Sequence, residues 1–450
     1  MADLLKILQI GKSALLANQL AMQTTSHNIA NANTEGYSRQ RVIFSSNSPE
    51  SNLLGTFGTG VSVQNIERLR DKFLDLQIFN EISSFGQFEF SADSLQFIED
   101  ILNEPSDFSL GSALENFFNA WNELANDPGS HPTRVLIKEN AITLVQSFHR
   151  LDSKLSDFIK SLNKDLRANV EKINSLAKRL AALNDQISQN KNQPADLLDR
   201  RNQLIEELSK LINIKVLDDG QGNVNIAVGG QFLIFKNSAH ELQVNAESKV
   251  IFKDSGKAVE INSGILKGIM HIRDTVVSDL RNDLNTLAQN IAEQVNQIHR
   301  QGYNLKGSTN LNFFKENIQG AGDFALDAEI LKDPALIAAS AEPDAAGDNN
   351  IALQIALLQE SPIMRNSRET FQEFYNSFLV EVGTQTREAK FRKENSDLIL
   401  QNLKARQQAI SGVSLDEEMA NLITLQNSYS AAARIISTVD EMTQTILNLL

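Results

Sequence analysis

The sequence predicts a mainly α, nested multi-domain chain with paired terminal helices, a long-helix bundle and a small β-rich insert. Three observations predict it. Only 8 prolines and 22 glycines punctuate 450 residues, which leaves room for long uninterrupted elements. Apolar residues recur with helical period over much of the chain. An amphipathic helix stands at each end, and neither can hide its apolar stripe alone.

At the N-terminus Leu8, Leu15, Met22 and Ile29 repeat every seven residues, with Leu4, Leu5, Leu16 and Leu20 widening the face. Asn28, Asn31, Asn33 and Gly36 then end this helix, Gly36 suits a left-handed cap, and Tyr37 re-anchors the chain. Further on, Phe117, Phe118, Trp121 and Leu124 fall at helical spacing, which assigns the single tryptophan to a core. From Leu155 a stripe runs through Ile159, Leu162, Leu166, Ile173, Leu176, Leu180, Leu183 and Ile187. Asn169 interrupts it, either as a register-fixing polar residue in a seam or as a wet rim position of a bundle.

Asn190, Asn192 and Pro194 break the helix, and Leu197, Leu198, Leu204, Ile205, Leu208 and Leu211 mark a second one. Short strands follow at Ile214–Leu217, Val224–Val228, Phe232–Phe235 and Val250–Phe252, separated by Asp218-Asp219-Gly220 and Gly229-Gly230 turns. Ser263 is expected to cap a helix reaching about Arg300, with Gly302 beyond its end, and helical spacing returns from about Thr370 to Ala409. Ser414 and Glu417 read as a capping box, with Asp416, Glu417 and Glu418 in the positive first turn of the last helix. From there one heptad series runs Leu415, Leu422, Tyr429, Ile436, Thr443, Leu450, and its companion Glu418, Leu425, Ala432, Val439, Ile446.

Pairing the two ends buries both stripes and implies a nested chain. The expected domains are 1–60 with 411–450 as a terminal-helix assembly domain, 61–213 with 263–410 as a helical bundle, and 214–262 as a small β insert.

Several function classes are disfavoured. Acid outweighs base, 56 to 42, for a net charge of -14, so the surface repels a phosphate backbone and nucleic acid is not an expected partner. Zero cysteines remove thiolate chemistry and cysteine-ligated metals. No apolar run approaches the ~20 residues of a membrane span, and Asp3 and Lys6 inside the first apolar run argue against a cleaved signal peptide. The six histidines are scattered without metal-ligand spacing, and no nucleotide-binding glycine pattern or nucleophile elbow is present. Asp218, Asp219 and Asn223 hint at a calcium loop, but the twelfth position is Gly229 rather than glutamate, so a hairpin turn is expected. The capping and dipole roles of Asp416, Glu417 and Glu418 account for them without acid–base catalysis.

Two motifs at opposite ends carry a family resemblance. The run Asn28-Ile29-Ala30-Asn31-Ala32-Asn33-Thr34-Glu35-Gly36-Tyr37-Ser38-Arg39-Gln40, after Ser13-Ala14-Leu15-Leu16-Ala17, resembles the N-terminal signature of the flagellar rod, hook and junction proteins. Ser411-Gly412-Val413-Ser414-Leu415-Asp416-Glu417-Glu418-Met419-Ala420-Asn421-Leu422, continuing through Gln426, Tyr429, Ala431-Ala432-Ala433-Arg434 and Asp440-Glu441-Met442, is similar specifically to the flagellar hook-associated protein 1 family. Asp196-Leu197-Leu198-Asp199-Arg200-Arg201 and Gly302-Tyr303-Asn304-Leu305-Lys306-Gly307 resemble internal stretches of the same family. One departure is that the 214–262 insert is shorter than the outer domains many relatives carry.

The resemblance implies a structural subunit at the junction of hook and filament, secreted through the flagellar type III export apparatus without a cleaved signal peptide. It implies no enzyme activity and no cofactor. The implied partners are copies of itself in a helical ring, hook protein, a second junction protein leading to flagellin, and an export chaperone on the C-terminal helix. The physical reading is compatible, because contacts that do not close by rotation generate tubes. The expected assembly interface is Leu8, Leu15, Met22, Asn28, Asn31, Asn33, Leu415, Leu422, Tyr429, Ile436 and Val439. A hook or rod subunit is the alternative within the class, though it calls for a larger β-rich middle. An intracellular coiled-coil adaptor would explain the heptads but not the matched ends.

Overall fold

The computed structural model describes residues 2–52, 55–102, 109–190, 194–220 and 222–448. It is 66% helical with 11% strand in small sheets, the mainly α class expected from the periodicity. Helix α1 (Ala2–Ala30) leads into strands β1 (Gln40–Ser46), β2 (Glu50–Asn52), β3 (Gly55–Phe57) and β4 (Val61–Arg68). Then come α2 (Lys72–Leu102), α3 (Leu110–Asn126), the 59-residue α4 (His131–Gln189) and α5 (Ala195–Leu211). Strands β5 (Lys215–Asp218), β6 (Val224–Val228), β7 (Gln231–Phe235) and β8 (Ser238–Ala239) form a four-stranded antiparallel sheet in that order. Strands β9 (Leu242–Val244) and β10 (Val250–Phe252) pair separately. The chain continues through α6 (Ile265–His271), a π-helical turn (Ile272–Val276), α7 (Val277–His299), α8 (Ala328–Lys332), α9 (Asn350–Leu357) and α10 (Met364–Ser367). It closes with α11 (Phe371–Ser411) and α12 (Leu415–Asn448).

Two compact units result: Met1–Phe85, Val170–Gly264 and Ser396–Leu450 form the first, and Gly86–Asn169 with Ile265–Asn395 the second. These cut the chain at other places than the three layers read from the sequence, since the 214–262 strands group with both termini. Asparagines on α4 account for that grouping. The buried Asn184 amide donates to the carbonyls of Val224 (2.8 Å) and Lys236 (2.7 Å), and Asn174 exchanges two hydrogen bonds of 2.8 Å with the Leu242 backbone. Each supplies partners to backbone groups that would otherwise be orphaned under a helix.

The long-helix stripe is present in α4: Leu155, Leu162, Leu166, Ile173, Leu176, Leu180 and Ile187 are buried. Asn169 donates to Asp165 O in its own helix at 2.8 Å, so it takes the rim role and pins no register. Pro194 stands at the N-cap of α5, where its ring ends the preceding segment and its carbonyl accepts from Leu198 N (3.2 Å); Asn192 lies outside the described residues. Two local expectations differ from the structure. Ser263 is separated by Gly264 from α6, which starts at Ile265, and its hydroxyl lies 2.6 Å from that of Ser83; the helix expected to run to Arg300 is interrupted by the π turn at Ile272–Val276. The antiparallel ribbon of β1 with β4 was not foreseen either. Only Val42 of β1 is buried, so the strand lacks the clear apolar alternation that would have announced it.

The second unit is built on aromatic packing. Phe117, Phe118, Trp121, Phe313 and Phe314 are fully buried, with Trp121 and Phe313 rings 5.3 Å apart and Phe313 and Phe314 4.8 Å apart. His299 lies in the same cluster with no exposed surface. Its Nε2 accepts from Ala338 N (2.9 Å), so its Nδ1 carries the proton donated to Leu311 O (2.8 Å). Burial pushes its pKa down to about 4.

A pH dependence follows. Above the unfolded value of 6.5 both states hold a neutral imidazole and this contribution to stability is complete. As pH falls from 6.5 towards 4 the unfolded chain binds a proton that the folded one refuses, so stability falls, by a total of about 3 kcal/mol. Trp121 is the only tryptophan and touches His299 ring to ring at 6.3 Å. Urea unfolding followed by its fluorescence should therefore show a falling midpoint between pH 7 and 4.5, and His299→Gln should flatten that slope.

Candidate functional site

The first unit brings together the three sequence motifs that carried no chemistry of their own. Helices α1 and α12 pack side by side. A Cβ built on Gly11 would lie 3.0 Å from Ile436 Cγ1 and 3.7 Å from Ala432 O, while Asn28, near the other end of α1, bonds Glu418 in the first turn of α12. The pair is therefore antiparallel. Small residues allow the approach: Ala17 and Ala21 of α1 and Ala432 of α12 are buried. On α12 the burial follows the predicted heptads. Glu418, Ala432 and Val439 are buried, and Leu422, Leu425, Tyr429, Ile436, Thr443 and Ile446 are half-buried. Leu450, the last member of that series, lies outside the described residues.

Leu8, Leu15 and Met22 of α1 are likewise half-buried. The expected interface residues thus gather mainly in a seam within one chain. Leu415 is an exception at 50% exposure. The asparagines divide. Asn28 is buried and makes long-range bonds. Asn31 acts locally, donating to His27 O (3.0 Å) and accepting from Thr34 Oγ1 (3.2 Å), while Asn33 is exposed.

At the base of the pair Asn28 behaves like a strand partner to Gln40, donating to its carbonyl at 2.9 Å and accepting from its N–H at 3.0 Å. The same side chain accepts from Tyr37 Oη (2.8 Å) and donates to Glu418 Oε2 (3.1 Å), linking residues 390 apart in sequence. Because Tyr37 gives its proton to Asn28, the 3.0 Å contact with His27 Nδ1 makes the imidazole the donor. Burial, and then the carboxylates of Asp196, Asp199 and Glu418, hold the Tyr37 hydroxyl well above the usual phenol range, so it stays protonated.

Arg39 completes this knot. Its Nε donates to Glu418 Oε1 (2.7 Å), its Nη1 to Glu417 Oε2 (2.8 Å), and its backbone N–H to Ser411 O (2.8 Å). Glu417 and Glu418 stand in the first turn of α12 as expected, but the Glu417 carboxylate assigned to a capping box bonds Arg39, and Glu418 bonds Arg39 and Asn28. A charge-assisted bond to a guanidinium is stronger than a reach back to one N–H, which explains the change of partner.

The Asp196–Arg201 motif supplies the second half. Asp199, buried in α5, accepts from Ser38 N (3.0 Å), Ser38 Oγ (2.7 Å) and Arg68 Nη1 (2.7 Å). Burial lowers the Arg68 pKa while Asp199 opposes the shift. Asp196 accepts from Gln40 Nε2 (3.2 Å). Arg201 donates to Gly222 O (2.7 Å), and burial, then the neighbouring Arg68 charge, pushes its pKa down to about 10. Arg70 bonds Asp75 (2.8 Å), which also accepts from Gln407 of α11 (2.9 Å). Gly36 has a left-handed φ of +78°, but it serves the Thr34–Tyr37 turn, where Tyr37 N donates to Thr34 O (3.2 Å), and it does not cap α1, which ends at Ala30.

Sequence reasoning missed Ser38, Arg39, Arg68, Asp199 and Glu418 as a bonded set. One signal was available: Glu418 is a charge inside an otherwise apolar heptad series, and a buried charge requires a partner. Among the described residues no group of three or more His, Cys, Asp or Glu is placed to hold a metal ion, and no helix is long and apolar enough to cross a membrane.

A chain whose first and last helices are clamped together by motifs from both ends has the construction of a flagellar axial protein. The family descriptions agree: "Flagella basal body rod protein" matches residues 8–37 and "Flagellar basal body rod FlgEFG protein C-terminal" matches residues 406–449. Between them, "Flagellar hook-associated protein FlgK helical domain" matches residues 95–314. The chain is 30% identical to flagellar hook-associated protein 1 of Bacillus subtilis, over 98% of this chain and 97% of that one. It is 25% identical to the Escherichia coli protein of the same name, over 97% and 98% respectively. It belongs to the flagellar hook-associated protein 1 family. Its fold is shared with the flagellar hook junction protein FlgK from Burkholderia pseudomallei, with a TM-score of 0.68 at 15% identity, covering 75% of this chain and all of that one.

Proposed function

We propose that this protein is the structural junction between flagellar hook and filament, and that residues 1–60 with 411–450 form its assembly domain. Family membership over nearly the whole length is the observation that carries the reading. The terminal pair supports the division of labour. Leu8, Leu15, Met22, Leu422, Tyr429, Ile436 and Val439 hold α1 to α12, with Asn28 and its bonds at the base. Leu5, Leu16, Leu415, Met419, Ile423, Ile435, Met442 and Leu447 remain exposed on the two helices and are the surface offered to neighbouring subunits. Asn31 and Asn33 flank that surface at the end of α1.

The partners in this reading are further copies in a helical ring, hook protein on one side and a second junction protein leading to flagellin on the other. An export chaperone covers α12 before assembly, and the chain leaves the cell through the flagellar type III apparatus with its N-terminus uncleaved. The role requires no catalysis and no cofactor.

Cells lacking the chain should build hooks that bear no filaments in electron micrographs; filaments of ordinary number would reject the reading. Leu422→Asp with Ile436→Asp should have the same effect. A fully buried apolar side chain of this size contributes roughly 1.5–3 kcal/mol, these half-buried ones contribute about half of that, and a carboxylate in their place adds a desolvation cost. Trp121 fluorescence should report an intact second unit in that variant.

A further inference from the structure

The second unit carries a groove that the terminal pair does not explain. It measures about 660 Å³ and lies between the start of α7 and the start of α11. Its apolar lining includes the buried Val276, Leu280, Phe378 and Val382, and Val380 stands at 67% exposure beside them. Four carboxylates ring it: Asp279, Asp283, Glu373 and Glu381. Two cations answer them in principle. Arg365 is already paired with Glu369 at 3.1 Å and stacked over Phe374, and His271 is held towards its neutral form by burial and the nearby Lys267. Burial raises the Asp283 carboxyl above its usual range, with Arg365 opposing the shift and Asp279 adding to it. The π turn lines one wall through Thr275 and Val276, and such turns recur where a helix face serves function.

The same unit carries the opposite charge elsewhere. Lys160, Lys164 and Arg167 occupy i, i+4 and i+7 of α4 and are all exposed. Asp157 weakens this stripe only at Lys160, which it meets at 2.8 Å.

We propose that the acidic groove of one copy receives the Lys160–Lys164–Arg167 face of α4 from a second copy. The two surfaces are different, so the contact is head-to-tail and repeats from copy to copy around a ring or along a helix, where a self-complementary contact would stop at a dimer. The apolar floor accommodates the methylene stems of the lysines while their heads reach the carboxylates. This proposal rests on the junction reading above and adds a contact outside the terminal helices.

Charge exchange tests it. Asp279→Lys with Glu381→Lys, or Lys164→Glu with Arg167→Glu, should each lower cross-linked oligomer yield from the concentrated purified chain at low salt by about tenfold. Combining all four changes should restore it to within about twofold of wild type. The same ordering is expected for filament number when the variants replace the native chain in cells. Melting curves matching wild type exclude misfolding as the cause. Wild-type oligomer yield from either pair alone, or no restoration by the four-fold variant with normal melting, overturns the proposal. The purified-chain arm needs no flagellum, so it stands apart from the micrographs of cells lacking the chain, which test the junction reading itself.

Discussion

Asp199→Ala is expected to destabilise the first unit by about 3–5 kcal/mol, because the change leaves one partner of a buried ion pair without the other. Arg68, whose side chain is 16% exposed, loses its 2.7 Å contact with the Asp199 carboxylate, and Ser38 loses acceptors for both its N–H and its hydroxyl. The 36–40 turn then has no anchor on α5. Asp199→Asn should cost less, since the amide oxygen still accepts from one donor while the charge is gone. Urea unfolding of the two variants, with amide hydrogen exchange to localise the loss, checks both size and place. Equal midpoints for Asp199→Ala and wild type would remove Asp199 from the account.

Glu418→Ala should have the second largest effect, about 3 kcal/mol, the low end of the range for a broken buried pair. Arg39 is 21% exposed and keeps Glu417, which moderates the loss, while Asn28 loses its bond to α12 altogether. The consequence should be local. Amides along α1 and α12 should exchange far faster, and those around Trp121 should keep their protection. Because Glu418 is also the one charged member of the α12 heptad series, its loss should loosen the register of the pair. Disulfide trapping between Gly11→Cys and Ile436→Cys is the readout, since the chain has no cysteine of its own. Trapping as fast and as selective in the Glu418→Ala background as in the parent would show that packing alone sets the register.

These two residues also mark how far the sequence could be read. The Asp196–Arg201 stretch was recognisable as a family motif, yet nothing within it indicates that Asp199 bonds Ser38 or that Arg201 holds the carbonyl of Gly222. Glu418 was legible as a heptad member and as a first-turn acid, and both descriptions are correct locally. Its actual partners, Asn28 and Arg39, lie at the far end of the chain. The asparagine run shows the same division. Asn31 does what its neighbourhood predicts for a helix end, whereas Asn28 serves a strand and a distant helix. The β1–β4 ribbon was missed for a related reason: it borrows its apolar cover from α1 and so needs little alternation of its own.

From the order of residues alone came the long helices, the break at Pro194, the strands of the 214–262 insert, the tryptophan core and the α12 seam. All rest on spacings of a few residues, where backbone geometry dictates which side chains share a face. The pairing of the two end helices was also implied by their unpartnered stripes; only the tertiary structure decided that three motifs converge on one polar knot at the base of that pair, and that the insert strands join the unit of the termini. Those outcomes depend on which buried donor meets which acceptor across hundreds of residues, and a hydrogen bond leaves no periodic trace in the chain that makes it.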